Sequence, residues 1–291
     1  MFARRLALGL MVAGVTPGDR VVVALPRGSA QTVLLLYTVA KLGAVVVPVP
    51  PGAEAYGGLA AVCRQLTASV LVTTGAAQET SDAVALHLRV GTPEWRGLLD
   101  RGGRSDHLAL DARMAGVALD DVLLLSAVER PGTAVRYVAW SHHALLNNGW
   151  LTWTGAGLGE RERVLVSVDM SRSYGMSMGV LGPMSHAACV VLGAGDAGAL
   201  VAAGDREACT GERPVPRGTP GELLVRGHGV ALGDWDRGTL GPGPATRWVG
   251  TGLTATVDPD GRIDVHGPAC GSPEVPAVLD VRERLTTRVP G

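Results

Sequence analysis

One run of residues has the spacing of a phosphate cradle. Gly193-Ala194-Gly195-Asp196-Ala197-Gly198 follows the apolar stretch Ala188 to Leu192 and reads GxGxxG. At a helix N-terminus such glycines let bare backbone N–H groups approach a dinucleotide pyrophosphate. Glu207 or Glu212 would then accept from a ribose hydroxyl. The helix after the run would end by Gly204, no clear return strand follows, and a chain with 41 glycines produces such runs readily. Elsewhere, Cys63, Cys189, Cys209 and Cys270 form no CxxC pair, which predicts reduced thiols in a cytoplasmic protein rather than a disulfide framework or a zinc site. His142 and His143 are adjacent, so on a helix they face different ways and do not pair on a metal. Lys41 is the only lysine. Any reaction that needs an ammonium group has that residue alone to draw on.

The elements that position these residues come from the apolar pattern. Arg20 to Leu25, Val45 to Val49 and Ser69 to Thr73 are near-continuous apolar runs, separated by helical stretches over Ala30 to Leu42 and Gly58 to Leu66. Strands that are apolar on both faces, alternating with helices, predict an α/β fold with a parallel sheet. Asp121 to Ser126, Val135 to Trp140, Arg163 to Val168 and Ala188 to Leu192 continue the series. Ser141 caps a helix running to about Gly149, and another helix lies near Tyr174 to Ser185. Residues 76–118 read as helices and loops without a motif. From Gly221 the style changes to short strands with turn signals, including Asp258-Pro259-Asp260-Gly261. The expected organisation is an α/β body over 1–192, a shortened connection over 193–211, a small β-rich, distorted barrel-like region over 212–267 and a tail over 268–291. The first residues read as an amphipathic or buried helix rather than a secretory leader. A formal net charge of −1 gives no reason to expect nucleic acid or an anionic membrane as partner.

Five segments, in order, resemble the N-terminal domain of the adenylate-forming superfamily, the fold of AMP-dependent synthetases, acyl-CoA synthetases and peptide-synthetase adenylation domains. They are Gly14 to Pro26 continuing through Ala40-Lys41-Leu42-Gly43-Ala44 to Val49; Asp121 to His142; Ser173-Tyr174-Gly175-Met176; Gly218-Thr219-Pro220-Gly221-Glu222-Leu223-Leu224-Val225-Arg226-Gly227; and Trp248 to Gly267. The resemblance implies two α/β subdomains and a small barrel, and a reaction joining a carboxylate to ATP. Two anions must meet, so such a site needs phosphate donors, Mg²⁺ ligation and a bridging cation.

By the same resemblance, Ser126, Gly132, Thr133 and Arg136 fall in the phosphate loop, and Thr251 and Asp258 fall near the ribose. Asp169, Arg172, Tyr174, Gly175 and Met176 fall at the acyl pocket, where Arg172 stands for a His and either binds an anionic group or pairs with Asp169. Arg136, Arg172 and His186 are the candidates for a catalytic role, and Cys189 is a further reactive group. Departures from the pattern are several. Glu129 puts a negative charge in the loop, Leu253 replaces the carboxylate that holds the ribose, the aromatic-Gly-x-Thr-Glu motif is absent, and the lid domain with its lysine is missing. The expectation is a truncated, degenerate biosynthetic relative, impaired in adenylation and acting by binding a carboxylic acid, an acyl ligand or a partner protein. The alternatives are an active ligase completed by a partner chain and, more remotely, a dinucleotide-binding protein. ATP or AMP with Mg²⁺ is expected only if the family's site survives. Loss of the middle segment would expose apolar surface, which predicts a homodimer or a stable complex.

Overall fold

The computed structural model describes residues 2–49, 57–75, 83–128, 135–166, 169–192, 221–225, 231–236, 238–241, 249–257 and 263–268. The chain divides into two units, one of residues 1–210 with 231–243 and one of residues 211–230 with 244–291.

The first unit is built on strands β1 (Arg20–Ala24), β2 (Val45–Pro48), β3 (Val70–Thr73), β4 (Leu86–Arg89), β5 (Val122–Val128) and β6 (Arg136–Ser141). β1 lies between β2 and β3 with all three parallel, β4 pairs parallel to β3, and β5 pairs parallel to β2. β6 then turns back antiparallel to β5. The helices are α1 (Phe2–Val12), α2 (Ala30–Leu42), α3 (Leu59–Leu66), α4 (Pro93–Arg104), α5 (His107–Ala115) and α6 (His142–Gly155). Successive strand residues point to opposite faces. Val21, Val23, Val46, Val70 and Val72 join a core with Leu6, Leu10, Leu35, Leu98 and Leu110 of α1, α2, α4 and α5. Val22, Val45, Val47 and Leu71 join the opposite core with Val62, Cys63 and Leu66 of α3 and with Tyr137. Helices on both faces explain why these strands carry no polar alternation. At the end of α2, Gly43 takes φ +66° and its N–H bonds to the Val39 carbonyl, a left-handed stop that glycine adopts without a Cβ clash.

Beyond β6 the chain forms β7 (Arg163–Val166), α7 (Ser173–Met176), a π-helical turn (Ser177–Leu181), α8 (Gly182–Ser185) and β8 (Cys189–Leu192), with β7 and β8 parallel in a small separate sheet. The second unit holds β9 (Gly221–Val225), β12 (Val249–Val257) and β13 (Ile263–Pro268), an antiparallel sheet with β12 in the middle. Between β9 and β12, residues 231–243 return to the first unit. There β10 (Gly233–Asp236) pairs antiparallel with β6, and β11 (Thr239–Leu240) pairs with β10, making an eight-stranded sheet of order β11-β10-β6-β5-β2-β1-β3-β4. This return lies inside the stretch that the sequence suggests is one β-rich region. Strand β4 and helices α4 and α5 fill residues 86–115, where no motif is visible. Among the described residues no helix is long and apolar enough to cross a membrane.

The Thr16-Pro17-Gly18-Asp19 segment is a structural clasp. The Asp19 carboxylate accepts from the Thr16 backbone N–H at 2.7 Å and the Thr16 hydroxyl at 2.9 Å, and from the Ser69 hydroxyl at the entry to β3. Burial alone would raise its pKa, but the bonds from Ser69 and Thr16 and the charge of Arg20 outweigh that and hold it below the ordinary carboxylate value. Asp19→Ala is expected to cost about 1.5 kcal/mol at pH 7, at the lower end for charged hydrogen bonds because the half-buried carboxylate is partly screened by water. A carboxyl whose folded pKa is depressed stabilises above its unfolded value of about 3.9 and loses that contribution as pH falls through the folded value. Urea midpoints of parent and variant should therefore draw together as pH falls below about 4; a gap that does not narrow on acidification would contradict this role.

Candidate functional site

Of the residues expected in a phosphate loop, Ser126 lies near the end of β5 and Arg136 opens β6. The Ser126 hydroxyl is buried and accepts from the Trp140 indole N–H at 2.9 Å, so one lone pair is committed within the sheet. Gly132, Thr133 and Glu129 lie outside the described residues. Arg136, at the first position of β6, is ion-paired and hydrogen-bonded to Asp234 of β10. That hydrogen bond, with the carboxylate charge, raises the guanidinium pKa further. Sequence reasoning missed Asp234, since it lies 98 residues downstream in a short polar segment that gives no strand signal.

The 169–176 segment packs onto the same end of the sheet. Arg172 donates from Nη1 to the Ala127 carbonyl of β5 at 3.1 Å, which brings the expected pocket residue against the phosphate-loop strand. The Asp169 carboxylate accepts from the Ser171 N–H at 2.8 Å and lies 3.7 Å from the Arg27 guanidinium. Gly175 is buried, and a Cβ added there would stand 2.3 Å from the Asp169 carbonyl oxygen. Its role is close packing of the helix start on the preceding turn. Met176 is fully buried in the main core, because its side chain falls on the inward face of the helix. Tyr174 is exposed. Of the five expected pocket residues, then, Met176 and Gly175 support the segment while Arg172 and Asp169 make its polar contacts.

His186 stands apart on the face shared by α6 and α8. Its ring lies 6.1 Å from those of Trp150 and Trp153, Nε2 is 3.0 Å from the Thr154 hydroxyl, and Nδ1 is 3.0 Å from the Gly182 carbonyl. A carbonyl can only accept, so Nδ1 carries the proton. Cys189 is an exposed thiol at the start of β8. The ring of His142 is half-buried with its pKa lowered, chiefly by burial. Among the described residues no three His, Cys, Asp or Glu side chains converge on a metal position. Thr251 belongs to β12 in the second unit, while Asp258, Gly193 to Gly198, Glu207 and Glu212 lie outside the described residues.

This fold is similar to that of solved adenylation domains. Residues 2–121 match the family model described as AMP-binding enzyme. The N-terminal subdomain of NpsA from Klebsiella oxytoca, solved in complex with 3-hydroxybenzoyl-AMSN, superposes with a TM-score of 0.66 at 18% identity, over 91% of this chain and 91% of that one. An artificially fused NpsA-ThdA adenylation–PCP di-domain of the same organism superposes with a TM-score of 0.67 at 18% identity, over 91% of this chain and 72% of that one. VinN in complex with 3-methylaspartate shares 21% identity at a TM-score of 0.55, over 72% of this chain. The chain spans 55% of the VinN chain. No curated protein matches at a significant level.

Proposed function

We propose that this chain is a non-adenylating or strongly impaired relative of AMP-dependent acyl and aminoacyl ligases, a pseudoenzyme that acts in the cytoplasm by binding a carboxylic-acid or acyl ligand or a partner protein. The Arg136–Asp234 ion pair carries the reading. A surface pair of this kind is worth about 0–1 kcal/mol and can be broken. What matters more is that the Asp234 carboxylate stands against the one loop cation described and repels phosphate oxygens there. Ser126 keeps its O–H free because it accepts from Trp140, but at 3% exposure it offers a nucleoside triphosphate little accessible surface. Thr251-Gly252-Leu253 adds to this, because a leucine side chain cannot accept from ribose hydroxyls. Leu146, Trp150 and Leu151 of α6 are exposed, which supports a protein partner or a second copy.

ATP–pyrophosphate exchange over a panel of carboxylic acids is expected to stay at background, and light scattering to give a mass above the monomer. Robust exchange by this chain alone would overturn the first part, and a monodisperse monomer would count against the second. One observation favours the alternative, an acyl-adenylating ligase completed by a partner chain. NpsA, whose N-terminal subdomain is spanned to 91% by this chain, was solved both with 3-hydroxybenzoyl-AMSN and fused to a carrier protein. That alternative requires exchange to appear when the partner is added and to vanish in Arg136→Ala.

A further inference from the structure

Beyond the carboxyl ends of β1 and β2 lies a cavity of about 20 Å³, bounded by Val23, Pro48, Arg27, Thr32, Asp169 and Ser171 among others. It is separate from the contact of Arg172 with β5. Three features of its lining converge. The Ser171 hydroxyl is buried, with the residue 3% exposed, and has no hydrogen-bond partner among the described residues. The Asp169 carboxylate and the Arg27 guanidinium face each other at 3.7 Å, which is an ion pair but too long for a direct hydrogen bond. Thr32, in the first turn of α2, is buried at 5% exposure and lines the same space.

A buried hydroxyl without a partner costs about 1–3 kcal/mol, and polar pairs separated by more than about 3.5 Å are commonly joined through water. A volume of about 20 Å³ admits one water molecule, and a buried water needs two to four polar partners. We infer that this cavity is a built hydration site in which a single water joins Ser171 to the Asp169–Arg27 pair. The charges of Arg27 and Asp169 cancel, so a neutral donor–acceptor fits where an anion would meet Asp169 and a cation would meet Arg27. The water accepts from the Ser171 hydroxyl and donates to the Asp169 carboxylate, satisfying the otherwise orphaned hydroxyl, and its second lone pair can accept from Arg27. It thereby ties the turn that carries Arg172 to the β1–α2 loop.

The sign of one substitution separates a hydrated hydroxyl from a dry one. If the hydroxyl is dry, Ser171→Ala removes an unsatisfied group and leaves stability unchanged or raised. If it holds a water, the same change strips a hydrogen bond from the buried hydroxyl's site, which opens to solvent only on the side of Arg27 with its 61% exposed side chain, and the unfolding equilibrium constant rises about tenfold. Ser177→Ala is the calibration, because the Ser177 hydroxyl donates to the Leu145 carbonyl at 2.7 Å in a comparably buried setting. A high-resolution crystal structure of the parent should show solvent density within about 3 Å of both Ser171 Oγ and an Asp169 oxygen. Unchanged or increased stability in Ser171→Ala, or a cavity without that density, would each overturn the inference.

Discussion

Gly102→Ala should destabilise the protein by about 3 kcal/mol, and Gly102→Val should prevent folding. In an ordinary helix interior the first change is stabilising by up to about 1 kcal/mol, because alanine is the better helix former. Here the sign inverts. α1 and α4 cross with their backbones in contact: a Cβ at Gly102 would lie 1.8 Å from the Arg5 carbonyl oxygen and 2.8 Å from the Gly9 nitrogen. Reciprocally, a Cβ at Gly9 would lie 2.3 Å from the Leu98 carbonyl oxygen. No rotamer relieves a clash with main-chain atoms, so the helices must separate. Leu6, Leu8 and Leu10 of α1 and Leu98 of α4, all at or near zero exposure, then lose their neighbours. Urea denaturation measures the effect, and a Gly102→Ala midpoint at or above the parent value would mean that the helices do not touch.

A second large effect is expected at Gly149, and it should be local. A Cβ there would meet the Ser177 carbonyl oxygen at 2.6 Å and the Gly182 nitrogen at 2.8 Å, while one at Gly182 would meet Trp153 Cδ1 at 2.4 Å. Gly149→Val therefore pushes the π-helical turn off α6. It breaks the bond from Ser177 to the Leu145 carbonyl and the one from the Trp153 indole to the Met178 carbonyl at 3.0 Å. Two buried hydrogen bonds and the overpacking come to about 3 kcal/mol. Trp153 is 4% exposed, so its fluorescence should shift to the red on contact with water. An emission spectrum identical to the parent's would refute the assignment.

The strands β1, β2 and β3 and helix α2 were legible because burial on both faces leaves no room for polar residues, and because Gly43 marks the helix end. Strand β4, Leu86-His87-Leu88-Arg89, was not: only Leu88 is buried, as befits an edge, and His87 and Arg89 read as loop. β10 was missed for the same reason, since Gly233-Asp234-Trp235-Asp236 has turn chemistry and is held as a strand only by β6. Helix α6 runs to Gly155 rather than stopping near Gly149, because that glycine serves a close crossing and not a cap. At the site, the contact of Arg172 with the Ala127 carbonyl of β5 was not legible. The Asp234 partner of Arg136, and the meeting of Arg27 with Asp169, depend on tertiary approach over long sequence separations. Local patterns carry no trace of it.

The return of residues 231–243 to the first sheet, between strands of the second unit, means that neither unit can be released by one scission of the chain. A fragment ending at Thr210 would lack β10 and β11, leaving a bare row of backbone donors and acceptors along β6 and Arg136 without its acidic neighbour. The two units are thus stitched together by the route of the polypeptide itself, and each inherits its completeness from a detour through the other.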